Sequence, residues 1–345
     1  MMIIAIGNAP SSGSTLLADL LDSLPFAVCG PEIRLFSVRA YFTRYAEVRW
    51  REPFVRSATA SCYSVRLGLA RSRLHTYGLN ARMVQDFMSQ AEEFPAFCAR
   101  FFEHFVALRG KEGRLCCEKT PQNIQNARLF LEAFPDSVFL HIVRNPLYVY
   151  KSLRRRGFPP YVAAATWLVD EAPAYELREH PRFITVKYEE LVRSPYETVA
   201  ALVRSWGEEI QPERLAELYR NNRYRTLYVP KLPSWKVSQH GTVQNANRGE
   251  VTEEDKAALS YMLSSKIGPE YARTFGLPEV SFAEVSAFYG YDFGTERPAN
   301  PTSLGWPDWE SWRRLSRKWR LDFTHGEAAL RSLPAYLHPV VQERE

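Results

Sequence analysis

Two clusters in this 345-residue chain combine residue types and spacings that could hold phosphate. The first is Gly7-Asn8-Ala9-Pro10-Ser11-Ser12-Gly13-Ser14-Thr15-Leu16-Leu17, which follows an apolar stretch at 2–6 and leads into leucines at 16, 17, 20, 21 and 24. A small-residue turn between a buried strand and a helix N-terminus aims several backbone N–H groups at one point. The helix dipole favours an anion at the same place. A nucleoside triphosphatase would carry G-x-x-x-x-G-K-[ST] here, its lysine on the β- and γ-phosphates. In this chain five residues separate Gly7 from Gly13, and Ser14 stands where that lysine would be. The loop suits phosphate but lacks the charge that a triphosphate needs.

The second cluster is His141-Ile142-Val143-Arg144-Asn145-Pro146, continuing to Lys151-Ser152 and Arg154-Arg155-Arg156. Arg144 sits where an apolar run meets a capped, proline-initiated helix, so its guanidinium leaves the carboxyl edge of the sheet, where α/β folds bind ligands. Ser152 lies two turns into that helix, about 9 Å along its axis. Arg156 follows four residues later on the same face. An arginine fork, a hydroxyl and a second arginine together can clasp one phosphate. Taken alone, the run 154–156 reads equally well as a solvated charged face. Because the third strand ends in Arg144, no strand-ending acid is in place to hold magnesium. Two phosphate sites with neither a triphosphate lysine nor a metal acid describe an adenosine phosphorylated at two ends.

The elements that position these clusters follow from pattern. Short apolar runs at 2–6, 114–117, 137–143 and 182–187 read as buried parallel strands, each followed by a turn. Thr120-Pro121, Asn145-Pro146 and Ser194-Pro195 each place a capping residue before a proline suited to the first helical position. Ser194 with Glu197 and Thr252 with Asp255 form capping-box patterns. Alternating strand, turn and helix imply an α/β fold: a P-loop-type, mostly parallel sheet flanked by helices. Residues 33–113 form a helical insertion after the first strand–helix unit. The chain divides into a main domain at 1–277 and an aromatic-rich extension at 278–345 packed on it.

Composition narrows the classes. Hydrophobic residues make up 46% and charged residues 24%, which excludes a disordered chain. Apolar runs such as 162–168 fall far short of the roughly 20 residues a membrane span requires. A net charge of +5 is too mild for non-specific nucleic-acid coating. The five cysteines at 29, 62, 98, 116 and 117 lack a Cys-x-x-Cys pair and read as buried thiols in a reducing compartment. The N-terminus reads as a first strand rather than a signal peptide, so the expected location is cytoplasmic.

At these residues the chain resembles the sulfotransferases that use 3′-phosphoadenosine 5′-phosphosulfate (PAPS). That family has a 5′-phosphosulfate loop of the type P-[K/R]-S-G-[ST]-[ST], here Pro10-Ser11-Ser12-Gly13-Ser14-Thr15. It also has an arginine followed eight residues later by a serine, here Arg144 and Ser152. The branch that includes tyrosylprotein and carbohydrate sulfotransferases and bacterial relatives is the most similar. It often adds an arginine at the position of Arg156, a Glu-Lys-Thr-Pro segment at 118–121 and a Tyr-Glu-x-Leu segment at 188–191.

The resemblance implies sulfuryl transfer from PAPS, without a metal, to a sugar, lipid, phenol, peptide or other small-molecule acceptor. It implies Glu32 as general base, with a cap on a helix starting near Ile33 as the alternative role. Lys119 becomes the cation at the departing 5′-phosphate, helped by Ser14 and Thr15. Tyr188 would line the nucleotide site, and Ser238, His240 and Arg248 belong to a polar loop closing over the donor. Ser11 replaces the family's usual Lys or Arg, and Lys119 is the candidate to compensate. That departure keeps a catalytically inactive relative open beside a P-loop kinase or ATPase. The Trp306, Trp309, Trp312 and Trp319 stripe reads as a helix packed onto the domain, with a membrane-surface helix or an acceptor lid as alternatives.

Overall fold

A computed structural model of the chain describes residues 1–49, 73–158, 160–222, 243, 252–291 and 340–342. Five parallel strands form the central sheet: β1 (Met2–Gly7), β2 (Ala27–Cys29), β3 (Leu115–Lys119), β4 (Val138–Val143) and β5 (Phe183–Lys187). Their order is β2-β3-β1-β4-β5. The register pairs Ile6 with Lys119, Gly7 with His141, and Val143 with Lys187, so the carboxyl ends of these parallel strands share one edge. β3 and β4 are buried along their whole length, as expected of strands covered on both faces.

The expected strands are present, and the sheet gains one more at its edge. β2 has only three residues, which is too short for its alternation to stand out from the turn around it. It matters because it delivers Cys29-Gly30-Pro31-Glu32 to the carboxyl edge of the sheet, beside the end of β3. An antiparallel pair, β6 (Ser265–Ile267) with β7 (Val340–Gln342), lies outside the main sheet.

Asn145 caps its helix by accepting a bond from the Leu147 N–H at 3.0 Å, and Thr252 completes its capping box with Asp255. The other two expected caps are not made. Ser194 closes the preceding helix, its N–H bonding to the Glu190 carbonyl at 2.9 Å, and its side chain does not cap helix Pro195–Ser205. Thr120 has its hydroxyl engaged by Glu118 and by the Arg34 N–H instead.

The described part of the insertion is helical. Its longest helix, Phe94–Arg109, places phenylalanines at 94, 97, 101, 102 and 105 on the buried face, and Gly110 ends it with φ 59°. Phe36, Phe94, Phe130 and Phe134 meet edge-on or stacked and join this insertion to the sheet's helices. Arg109 then grips Asp22, at the end of helix Ser14–Asp22, through two 3.0 Å bonds. On the other side, Trp167 of helix Pro160–Glu176 packs against Phe282. Cys29, Cys98, Cys116 and Cys117 are buried free thiols, and Cys62 lies outside the described residues. Among the described residues no helix is long and apolar enough to cross a membrane.

Candidate functional site

The loop at 7–13 bends twice into left-handed backbone, at Ser11 (φ 72°) and Gly13 (φ 97°). Gly13 is required for a second reason. A Cβ there would lie 2.3 Å from the Tyr188 ring, so the ring packs directly under the loop. Helix Ser14–Asp22 starts at Gly13 with no side-chain cap and no acidic residue in its first turn. Its first-turn N–H groups are therefore left uncapped, an arrangement that can accept an anion. The Ser12 hydroxyl is fully buried and has no hydrogen-bond partner among the described residues.

Two arginines converge on this loop. Arg144 leaves the end of β4 and donates from Nη1 to the Ser11 carbonyl at 2.7 Å. Arg156, at the end of helix Pro146–Arg155, donates to the Ser11 hydroxyl at 3.0 Å. The Arg144 guanidinium also lies 4.5 Å from the Tyr188 ring centre, a cation–π contact. Burial lowers the pKa of Arg144, while Tyr188 and Glu189 act the other way, and a guanidinium keeps its proton regardless. Ser152 lies on the same helix, half-buried, and its carbonyl accepts the Arg156 N–H at 3.2 Å. Arg144, Arg156, Tyr188 and the loop thus come together, and Ser152 is one turn from Arg156.

At the other end of the crevice, Lys119 ends β3 and bridges two expected site residues. Its Nζ lies 2.5 Å from Glu32 Oε1 and 3.3 Å from the Thr15 hydroxyl. Glu32 does not cap a helix near Ile33, because the next helix begins at Arg39 behind Val38. The turn carrying Glu32 is clamped from three sides. Ile33 N–H donates to Glu118 Oε1 at 3.2 Å, Arg34 N–H donates to the Thr120 hydroxyl at 3.1 Å, and the Tyr77 hydroxyl donates to the Pro31 carbonyl at 2.7 Å. A Cβ on Gly30 would strike the hydroxyl end of the Tyr77 ring, which abuts the turn.

Glu118 is the residue that sequence reasoning missed. It is fully buried and also accepts bonds from the Thr120 hydroxyl (2.6 Å) and the Asn123 amide (2.7 Å). Burial raises its pKa, partly offset by these three donors. The signal is a carboxylate that directly follows the apolar run Leu115-Cys116-Cys117, where the strand continues. A second buried pair, His141 Nε2 with Glu171 Oε2 at 3.0 Å, sits at the end of β4.

Ser238, His240, Arg248 and the tryptophans at 306, 309, 312 and 319 lie outside the described residues. Among the described residues no group of His, Cys, Asp and Glu is arranged to hold a metal ion.

Comparison with known proteins bears on the family and the fold. A profile of the sulfotransferase family matches residues 4–212. Over 145 residues the chain is 28% identical to protein-tyrosine sulfotransferase 2 of Gallus gallus, covering 42% of this chain and 32% of that one. It is 26% identical to the protein-tyrosine sulfotransferase of Drosophila melanogaster, covering 42% and 23%. The chain therefore spans a third or less of the length of these relatives. Two solved structures share the fold. The sulfotransferase domain of the Synechococcus PCC 7002 olefin synthase has a TM-score of 0.53 at 20% identity, covering 85% of this chain and 95% of that one. The sulfotransferase domain from the curacin biosynthetic pathway has a TM-score of 0.52 at 17% identity, covering 85% and 98%. With more than half its length matched by the family profile and its sheet built like those domains, the chain belongs to the sulfotransferase family.

Proposed function

We propose that the protein transfers a sulfuryl group from PAPS to a hydroxyl or amine by in-line displacement, with Glu32 as general base. One observation carries this reading: Ser11 is held by two arginines while Thr15, four residues on, is touched by a lysine paired with a carboxylate. One stretch of loop thus spans a phosphate clamp and an acid–base pair, the two functions a phosphosulfate donor needs.

In this reading the loop N–H groups and Lys119 hold the 5′ end, and Arg144, Arg156 and Ser152 hold the 3′-phosphate. The acceptor oxygen or nitrogen forms a bond to sulfur as the sulfur–oxygen bond to the 5′-phosphate breaks. Its proton passes to the Glu32 carboxylate. Negative charge accumulates on the 5′-phosphate, where Lys119 and the helix N–H groups lower the barrier. Lys119 reaches both Glu32 and Thr15, so a small movement toward the donor releases the base as the donor binds. Arg156 at the Ser11 hydroxyl supplies a positive charge beside the position where the family usually has one on the loop itself.

The acceptor is a hydroxyl- or amine-bearing molecule. The curated relatives are named for protein tyrosine, and that substrate comes to this chain only as one candidate among peptide, sugar and lipid. The test is a thermal-shift titration with 3′-phosphoadenosine 5′-phosphate, AMP, and ATP with Mg²⁺. A ligand at 100 times its Kd adds about 2.7 kcal/mol, which raises Tm by several degrees. Stabilisation by the bisphosphate well beyond that by AMP is expected. A response confined to ATP with Mg²⁺ would overturn the proposal in favour of a kinase-like enzyme.

A further inference from the structure

The peptide unit joining Arg144 to Asn145 is where β4 turns into its helix and where the Arg144 side chain gets its aim. Both of its polar groups are held by side chains. The Arg144 carbonyl accepts a 3.0 Å bond from the Trp167 indole N–H. The Asn145 N–H donates to Glu189 Oε1 at 3.2 Å.

Each of these holders is braced in turn by the segment 282–291, beyond residues 4–212 matched by the family profile. Phe282 packs on Trp167 with ring centres 5.0 Å apart. The Tyr291 hydroxyl donates to Glu189 Oε2 at 2.8 Å, leaving Oε1 aimed at Asn145. Between them Tyr289 lies 6.0 Å from the ring of His141, three residues before Arg144 on β4. Trp167, Phe282 and Tyr289 are buried, and Tyr291 is half-buried.

We infer that segment 282–291 is a working part of the 3′-phosphate site, with Tyr291 and Phe282 as positioning residues that fix the Arg144–Asn145 peptide from both sides. This rests on the assignment of Arg144 to the 3′-phosphate. Tyr291 acts on the ligand only through Glu189, Asn145 and the direction of Arg144. A guanidinium fork must meet phosphate oxygens in fixed geometry, so a loosened peptide weakens recognition of that one phosphate. The rest of the nucleotide is untouched.

The experiment compares the affinity of the full chain and its Tyr291→Phe variant for 3′-phosphoadenosine 5′-phosphate and for AMP, which lacks the 3′-phosphate. The bisphosphate should bind about fivefold more weakly to the variant, the size of one lost hydrogen bond, while AMP changes by less than twofold. In an Arg144→Ala background the same substitution should leave bisphosphate affinity unchanged. If Tyr291→Phe lowers the ligand-free Tm markedly, Trp167→Phe carries the same test through the ratio of bisphosphate to AMP affinity, since it removes the indole donor to the Arg144 carbonyl, and the buried pyrrole ring it also deletes would weaken both ligands alike. Equal weakening for both ligands, or no change for either, would overturn the inference. A native chain that ignores the bisphosphate would instead overturn the donor assignment on which it rests.

Discussion

The two corners of the crevice handle charge in opposite ways. At the base corner, Lys119 and Glu32 neutralise each other across 2.5 Å, and a buried carboxylate, Glu118, secures the turn beneath them. At the arginine corner, Arg144 and Arg156 both reach for the neutral oxygens of Ser11. A corner that carries its own counter-charge suits proton transfer, since the pair can separate and re-form as a ligand comes and goes. A corner where two cations sit on neutral oxygens suits a dianion, which makes stronger, charge-assisted bonds than those oxygens do. In the proposed reading, recognition of the 3′-phosphate therefore belongs to the arginine corner and proton transfer to the other.

The sharpest way to break this division is Glu32→Gln. Removing a positioned base costs about 10²–10⁴-fold in rate. PAPS turnover with an accepted hydroxyl substrate should fall by that factor, while bisphosphate affinity stays within about twofold. Undiminished turnover would remove Glu32 from the chemistry.

Gly13→Ala strikes the loop that the corners share. The new Cβ would sit 2.3 Å from Tyr188 at a φ of 97°, and Tyr188 in turn supports Arg144. A loss of about 1–3 kcal/mol in stability is expected, read as a Tm drop of several degrees, together with weaker bisphosphate binding. An unchanged Tm would mean that the loop is not built as described.

The smallest effect separates the two arginines. Ser11→Gly keeps the carbonyl that Arg144 uses, removes the hydroxyl that Arg156 uses, and relieves a left-handed residue (φ 72°). Relief of that strain, less the entropy glycine adds to the unfolded chain, should raise stability by roughly 0.5–1 kcal/mol. A lower Tm would show that the Arg156–Ser11 contact outweighs the strain.

What was legible in the sequence follows the range of the interactions. The loop at 7–17 is readable as a strand–turn–helix bend because glycines and serines between an apolar run and a leucine stripe specify it through the backbone alone. Arg144 was readable because Asn145-Pro146 marks the helix start beside it, and the Asn145 cap forms. Ser194 carries an equally good local signal, yet it is spent closing the helix before it. β2 was missed because three residues give no period to read. Glu118 was quoted within a motif, but its task depends on the Ile33 N–H, which lies 85 residues away in the chain. The grip of Trp167 and Glu189 on the Arg144–Asn145 peptide is also tertiary, with no sequence pattern behind it.

We propose that recognition of the 3′-phosphate resides at the arginine corner and proton transfer at the Lys119–Glu32 corner. Calorimetric titration of 3′-phosphoadenosine 5′-phosphate into Arg144→Ala and Glu32→Gln, side by side with the native chain, tests it directly. Charge-assisted bonds are worth about 1.5–3 kcal/mol each, so Arg144→Ala should weaken binding by about 10–100-fold, with Glu32→Gln near the native value. Native affinity in Arg144→Ala, or equal losses in both variants, would contradict the account.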